Sequence, residues 1–173
     1  MIITLKHIAT CVGVDEMSIL NWVGVDWQES EIGVLSAACR VVAQSLGFDF
    51  VFQLDGKRVL SDIDHELPIF LEELGRAYSD LKEGRSSRIA MYDQFPVSEI
   101  LFEVTVGGFN VTAIGRESKV IARETQQVHS LLRALESLFG DFVAAVRQSC
   151  TNKAIVGAVE RWVALVAPTV VIA

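Results

Sequence analysis

The densest group of reactive side chains lies in Ser61-Asp62-Ile63-Asp64-His65-Glu66. Carboxylates and an imidazole this close together could hold a divalent metal or exchange protons with a substrate. The same residue types also suit the start of a helix, where Asp and Glu satisfy unpaired backbone N–H groups and complement the dipole. We read the segment as such a start, with Asp64 as the cap. An enzyme with a non-standard site near Asp62, Asp64 and His65 is kept as the lesser alternative. His129 reads as a surface or boundary residue near the first turn of a long helix. Cys11, Cys39 and Cys150 are far apart and form no C-x-x-C pair. They read as small buried hydrophobes in a reducing compartment, here the cytoplasm, and Cys39 falls on an apolar helical face.

Other signatures of chemistry are missing from the sequence. There is no G-x-S-x-G turn, no G-x-x-x-x-G-K-[ST] or G-x-G-x-x-G loop, and no H-E-x-x-H. Such motifs respectively position a nucleophile, cradle phosphate and hold zinc. We therefore expect no catalytic residue, no metal and no cofactor, and a protein that is not an enzyme. Trp22, Trp27 and Trp162 lack interleaved Arg or Lys, so they suit packing rather than stacking on nucleic-acid bases.

Charge carries more information. The 173 residues hold 15 Lys+Arg against 22 Asp+Glu, a formal net charge of −7. Such a chain is a poor partner for phosphate backbones or anionic membranes. The acids concentrate in residues 61–103, where ten face four bases. Glu66, Glu72, Glu73, Asp80, Glu99 and Glu103 would form one acidic surface if the solvated side of a helix approached the outer face of a sheet. A surface of that kind steers a basic partner.

The elements that must position these residues follow from periodicity. Residues 2–12 suit a strand, and Ser18–Trp27 is ambiguous between strand and packed loop. Asp26 with Glu29 resembles a capping box ahead of Ile32, Leu35, Cys39, Val42 and Leu46, one helical face closed by Gly47. Phe48, Phe50, Phe52 and Leu54 alternate as a strand that turns at Asp55-Gly56, placing Val59 opposite Phe52 and Arg58 opposite Gln53. Leu67, Phe70, Leu71, Leu74, Tyr78 and Leu81 make the next helical stripe, ended by Gly84. Ile100, Phe102, Val104 and Val106 alternate into a Gly107-Gly108 turn, pairing Val106 with Phe109, Val104 with Val111 and Phe102 with Ala113. Lys119–Ala122 suits a third short strand. A long helix runs from about Glu124, bent or broken at Gly140. The Asn110-Val111-Thr112 sequon falls inside a strand.

The segment Ala154–Ala173 approaches bilayer length but carries Glu160, Arg161 and Pro168. Charges near the centre of a span cost about 2.5–3.5 kcal/mol each, so no membrane segment is expected. We read it as a buried helix to about Val166, followed by a tail, Thr169-Val170-Val171-Ile172, that forms a strand or an oligomer contact. The N-terminus lacks the pattern of a signal peptide. Short hairpins and segregated helices predict a single α+β domain over 1–173: an antiparallel sheet with helices packed mainly on one face.

The run Leu54-Asp55-Gly56, then Leu67-Pro68-Ile69-Phe70-Leu71-Glu72-Glu73-Leu74, then Phe95-Pro96-Val97 leading into a glycine-turned hairpin and a leucine-rich helix resembles small α+β immunity proteins. Bacteria pair these with polymorphic or contact-dependent toxins. The resemblance covers roughly residues 48–148 and implies a cytoplasmic protein that neutralises one cognate toxin by stoichiometric binding. The implied partner of an acidic member is a basic nuclease toxin. The chain itself would be a monomer or homodimer and would bind no nucleic acid. A small acidic secretion chaperone, a dimeric binding module, is the alternative.

Overall fold

The alternation at 48–54 becomes strand β2 (Phe48–Leu54), with Phe48, Phe50, Phe52 and Leu54 all buried. The computed structural model describes residues 1–24, 27–92 and 96–170. β1 (Ile2–His7) pairs antiparallel with one edge of β2 and β3 (Lys57–Leu60) with the other. Asp55 and Gly56 both take positive φ, 46° and 75°, the geometry of a tight hairpin turn. Arg58 lies opposite Gln53 as expected. A bulge between Phe52 and Gln53 places Leu60 opposite Phe52 in place of Val59.

A second antiparallel sheet is a meander of β4 (Ser87–Ala90), β5 (Val97–Thr105), β6 (Gly108–Gly115) and β7 (Val120–Gln127). The fold is α+β, and its hairpins divide between two sheets rather than one. The β5–β6 turn differs from expectation. Val104 pairs with Phe109, Phe102 with Val111 and Ile100 with Ala113. The turn is therefore Val106-Gly107, and the register moves by two residues. Because side chains alternate with period two, the shift leaves every residue on its expected face. It carries Val104 and Val106 beyond the core, to 49% and 108% exposure.

Among the described residues, five α-helices complete the fold. The first part of Ser18–Trp27, expected as strand or packed loop, is neither: it belongs to α1 (Glu16–Val23), because Asp15 accepts a capping bond from the Ser18 N–H. α2 (Glu31–Gln44) is capped by Ser30, whose hydroxyl accepts from the Gly33 N–H, so the capping residue lies four positions later than expected. α2 ends with Leu46, not Gly47, in the left-handed region (φ 55°). Gly47 serves a different need. A Cβ there would lie 2.6 Å from Cys11 Sγ, where the loop after β1 folds over the helix end. α3 (Glu66–Lys82) buries its whole predicted stripe, and Gly84 follows it at φ 70°. α4 (Val128–Ser149) starts later than expected, because residues 124–127 complete β7, and it continues unbroken through Gly140. α5 (Lys153–Val166) ends where its sequence pattern ends. Among the described residues no helix is long and apolar enough to cross a membrane.

Among the described residues, one hydrophobic cluster draws on each of the seven strands and five α-helices. α3 and α4 lie against the sheets, through β4 and β1 respectively, while α2 packs among α1, α3, α4 and α5. Phe70 of α3 places its ring 5.4 Å from that of Phe52 and 6.4 Å from that of Phe50, joining the helix to the first sheet. Trp27 and Trp162 are buried. Asp26, Phe95, Val171 and Ile172, to which the sequence assigned roles, lie outside the described residues, as does the side chain of Trp22.

Candidate functional site

The Asp62–Glu66 segment does begin a helix, but through a different cap from the one expected. Asp62 Oδ1 accepts from the backbone N–H groups of Asp64 (2.8 Å) and His65 (3.0 Å). Glu66 turns back and accepts from the N–H groups of Ser61 (2.7 Å) and Asp62 (2.9 Å). The two carboxylates thus satisfy four N–H groups reciprocally, in the manner of a capping box. Asp64 instead pairs with Arg40 at 2.7 Å. The His65 ring contacts Asp62 Oδ2 through Nδ1 at 3.0 Å. Every carboxylate that sequence reading offered for acid–base work is thus engaged at the start of α3.

Partial burial pushes the Asp62 carboxyl up, but its bonds to the His65 ring and to the His65 and Asp64 N–H groups prevail and hold it below the usual range. A carboxylate whose pKa is depressed by folding adds stability above its unfolded pKa and loses it as pH falls through the folded value. Asp62→Ala should therefore cost about 1 kcal/mol at neutral pH, the scale of a lost cap. The difference from the parent should vanish in acid, below the ordinary carboxylate range. Urea titrations across pH measure it, and a pH-independent difference would contradict the capping role.

The six expected surface carboxylates do not form one patch. Glu66 is only 7% exposed and is used internally, so it drops out. Its place on the sequence gave no sign of this, because its partners are backbone groups upstream of the helix. Asp80, at the far end of α3, bonds Arg85 at 2.5 Å and Ser87 at 3.3 Å. Glu99 and Glu103 stand on the outer face of β5, with Leu101 between them. The row through Leu101 also brings Arg88 and Arg123 to that face, which balances its charge. Arg123 donates from Nε to the buried Thr112 hydroxyl at 2.9 Å, and Asn110 of the sequon accepts from Thr125.

Glu72 and Glu73 behave differently. Arg76 bonds Glu73 at 3.1 Å and also lies near Glu72. Glu31, at the start of α2, joins them from across the helix boundary. Its carboxylate accepts from the neutral indole N–H of Trp162 on α5. Burial first, then the charges of Glu31 and Glu73, push the Glu72 carboxyl up despite the opposing pull of Arg76. Three carboxylates against Arg76 and, beside Glu31, Arg161 leave this corner net negative. Nothing in the sequence marks Glu31 as a member, since Trp162 is 131 residues away along the chain.

Two grooves open on the same face. A groove of about 530 Å³ runs beside Tyr78, Ser79, Lys82 and Pro168, and another of about 270 Å³ beside Glu29, Glu31, Arg161 and Trp162. Leu165, 82% exposed on the last turn of α5, borders both. The Tyr78 hydroxyl donates to Glu136, and the Thr169 hydroxyl donates to the same carboxylate at 3.2 Å. Thr169 of the expected tail is thereby tied to its own chain, and Val170 packs against the core.

Cys39 is fully buried, and Cys150 is buried too. Burial pushes both thiols up, Cys150 to about 12, so each stays protonated at neutral pH. Cys11 is half-buried, 4.0 Å from the Ser149 hydroxyl. Among the described residues no three His, Cys, Asp or Glu side chains converge as metal ligands would. No protein family, no curated protein and no solved structure matches this chain.

Proposed function

We propose that this chain is a non-enzymatic binding protein of the toxin-immunity kind, acting in the bacterial cytoplasm by stoichiometric capture of a cognate basic toxin. One observation carries the reading. The carboxylates best suited to chemistry, Asp62, Asp64 and Glu66, are engaged with backbone N–H groups and Arg40, while Glu31, Glu72 and Glu73 remain in excess over their cations at the surface. Excess negative charge at a surface raises the association rate of a basic partner and selects against acidic ones.

Co-expression with the product of the adjacent gene tests the reading. The expected result is a one-to-one complex and protection of the cells from that product. Absence of both a complex and protection overturns it. A strict monomer in sedimentation of the free chain rules out the dimeric chaperone, which requires a homodimer before any cargo is added.

A further inference from the structure

We propose that Leu165 and the two grooves it separates are the docking surface, and that they accept a basic amphipathic segment of a protein partner. This inference rests on the binding-protein reading and adds where the partner sits and what it must look like. Leu165 stands out from the last turn of α5 while its neighbours Trp162, Val163 and Ala167 are buried. An isolated exposed leucine is ordinary. One forming the ridge between two grooves lined by Trp162, Tyr78 and Arg161 has around it the residue types that dominate binding energy at interfaces. Grooves of about 530 and 270 Å³ each have room for a large apolar side chain.

Charge complementarity selects the occupant. Beside the ridge, Glu72 and Glu73 share Arg76, while Glu31 lines the second groove with Glu29 and Arg161, so carboxylates outnumber cations. Gly75, one turn along α3 from Glu72, brings the helix against Val166 and the Glu31 carboxylate, so the acidic corner and the apolar ridge form one continuous surface. Lys82, stacked 5.7 Å over the Tyr78 ring, borders the first groove and Arg161 the second. A segment with apolar side chains along one stripe and Lys or Arg beside it therefore fits with its cations toward Glu72. An acidic or purely apolar segment leaves the three carboxylates unmatched.

The test uses the full chain and a synthetic helical peptide of leucine and lysine in amphipathic order, with a leucine–glutamate counterpart as control. NMR shift mapping should place the lysine peptide on the last turn of α5, the start of α2 and α3 from Glu72 to Lys82. Leu165→Asp should weaken its binding by about tenfold or more, the scale of a lost anchor. Glu72→Gln with Glu73→Gln should weaken it several-fold and flatten its salt dependence. Leu46→Asp, at another exposed leucine beyond the C-terminal end of α2, should change nothing. Unchanged binding in Leu165→Asp, or shifts confined to other faces, overturns the proposal. In cells, Leu165→Asp should abolish protection by a chain that remains folded. Protection retained by Leu165→Asp sinks the docking surface and leaves the binding-protein reading standing. Failure of the parent chain to protect or to form a complex sinks both.

Discussion

Gly108→Ala should lower the melting temperature by on the order of 10 °C, whereas Gly107→Ala, one residue earlier, should lower it by only a few degrees. The two glycines stand together in sequence but answer to different forces. A Cβ at Gly108 would lie 2.0 Å from the Gln126 carbonyl oxygen, 3.0 Å from its carbon and 3.2 Å from Gln127 Cα. All three are backbone atoms of β7, held by the Gly108–Gln127 and Phe109–Gln126 pairs, so no side chain can rotate away. β6 and β7 would have to part, and over-packing of a fixed backbone costs about 3 kcal/mol or more. For a chain of this length each kcal/mol shifts the melting point by roughly 2–4 °C. Gly107 has open space around its Cβ position and φ 89°. Alanine there meets only the left-handed penalty of about 1–2 kcal/mol. Thermal unfolding followed by circular dichroism compares the pair, and equal losses would refute the close-approach argument.

The second large effect is expected at Phe70. Its side chain is fully buried and its ring touches those of Phe50 and Phe52, so it holds α3 on the first sheet. Phe70→Ala removes the buried ring and leaves a cavity whose walls belong to two different elements. The cost should be about 3–5 kcal/mol. Phe70→Leu keeps most of the volume and should cost about 1.5 kcal/mol. Urea unfolding should show a lower midpoint at unchanged slope for both. The contrast with Leu165 is useful. Truncating that exposed leucine should leave stability within about 0.5 kcal/mol, because nothing covers it in the free chain. Phe70 and Leu165 thus separate residues that hold the fold from residues available to a partner.

Which parts of this fold were legible in the sequence follows from the range of the forces involved. The stripe Leu67–Leu81, the alternation Phe48–Leu54, the Asp55-Gly56 turn and the end of α5 rest on side-chain period and on turn residues. These act within a few positions, so the sequence displays them directly. The β5–β6 register was misplaced because two adjacent glycines each fit a turn locally. The need for glycine at position 108 comes from β7, reached only after the chain has turned again. Leu46 took the left-handed place expected of Gly47 because Gly47 is required where Cys11 crosses over it. The start of α4 moved from Glu124 because that carboxylate accepts from the Asp55 N–H and from the terminal amine of Met1, at the far end of the chain.

Composition and periodicity by themselves determined the α+β class, most of the helices and strands, the acidic balance and the lack of familiar catalytic motifs. Tertiary structure alone decided that the hairpins form two sheets, that Glu66 is an internal cap, and that Glu31 of α2 comes close to Glu72 of α3. The physical reason is the same in each case. Hydrophobic period and turn preference are properties of neighbours along the chain, whereas burial of a carboxylate and the approach of two others depend on which elements pack together.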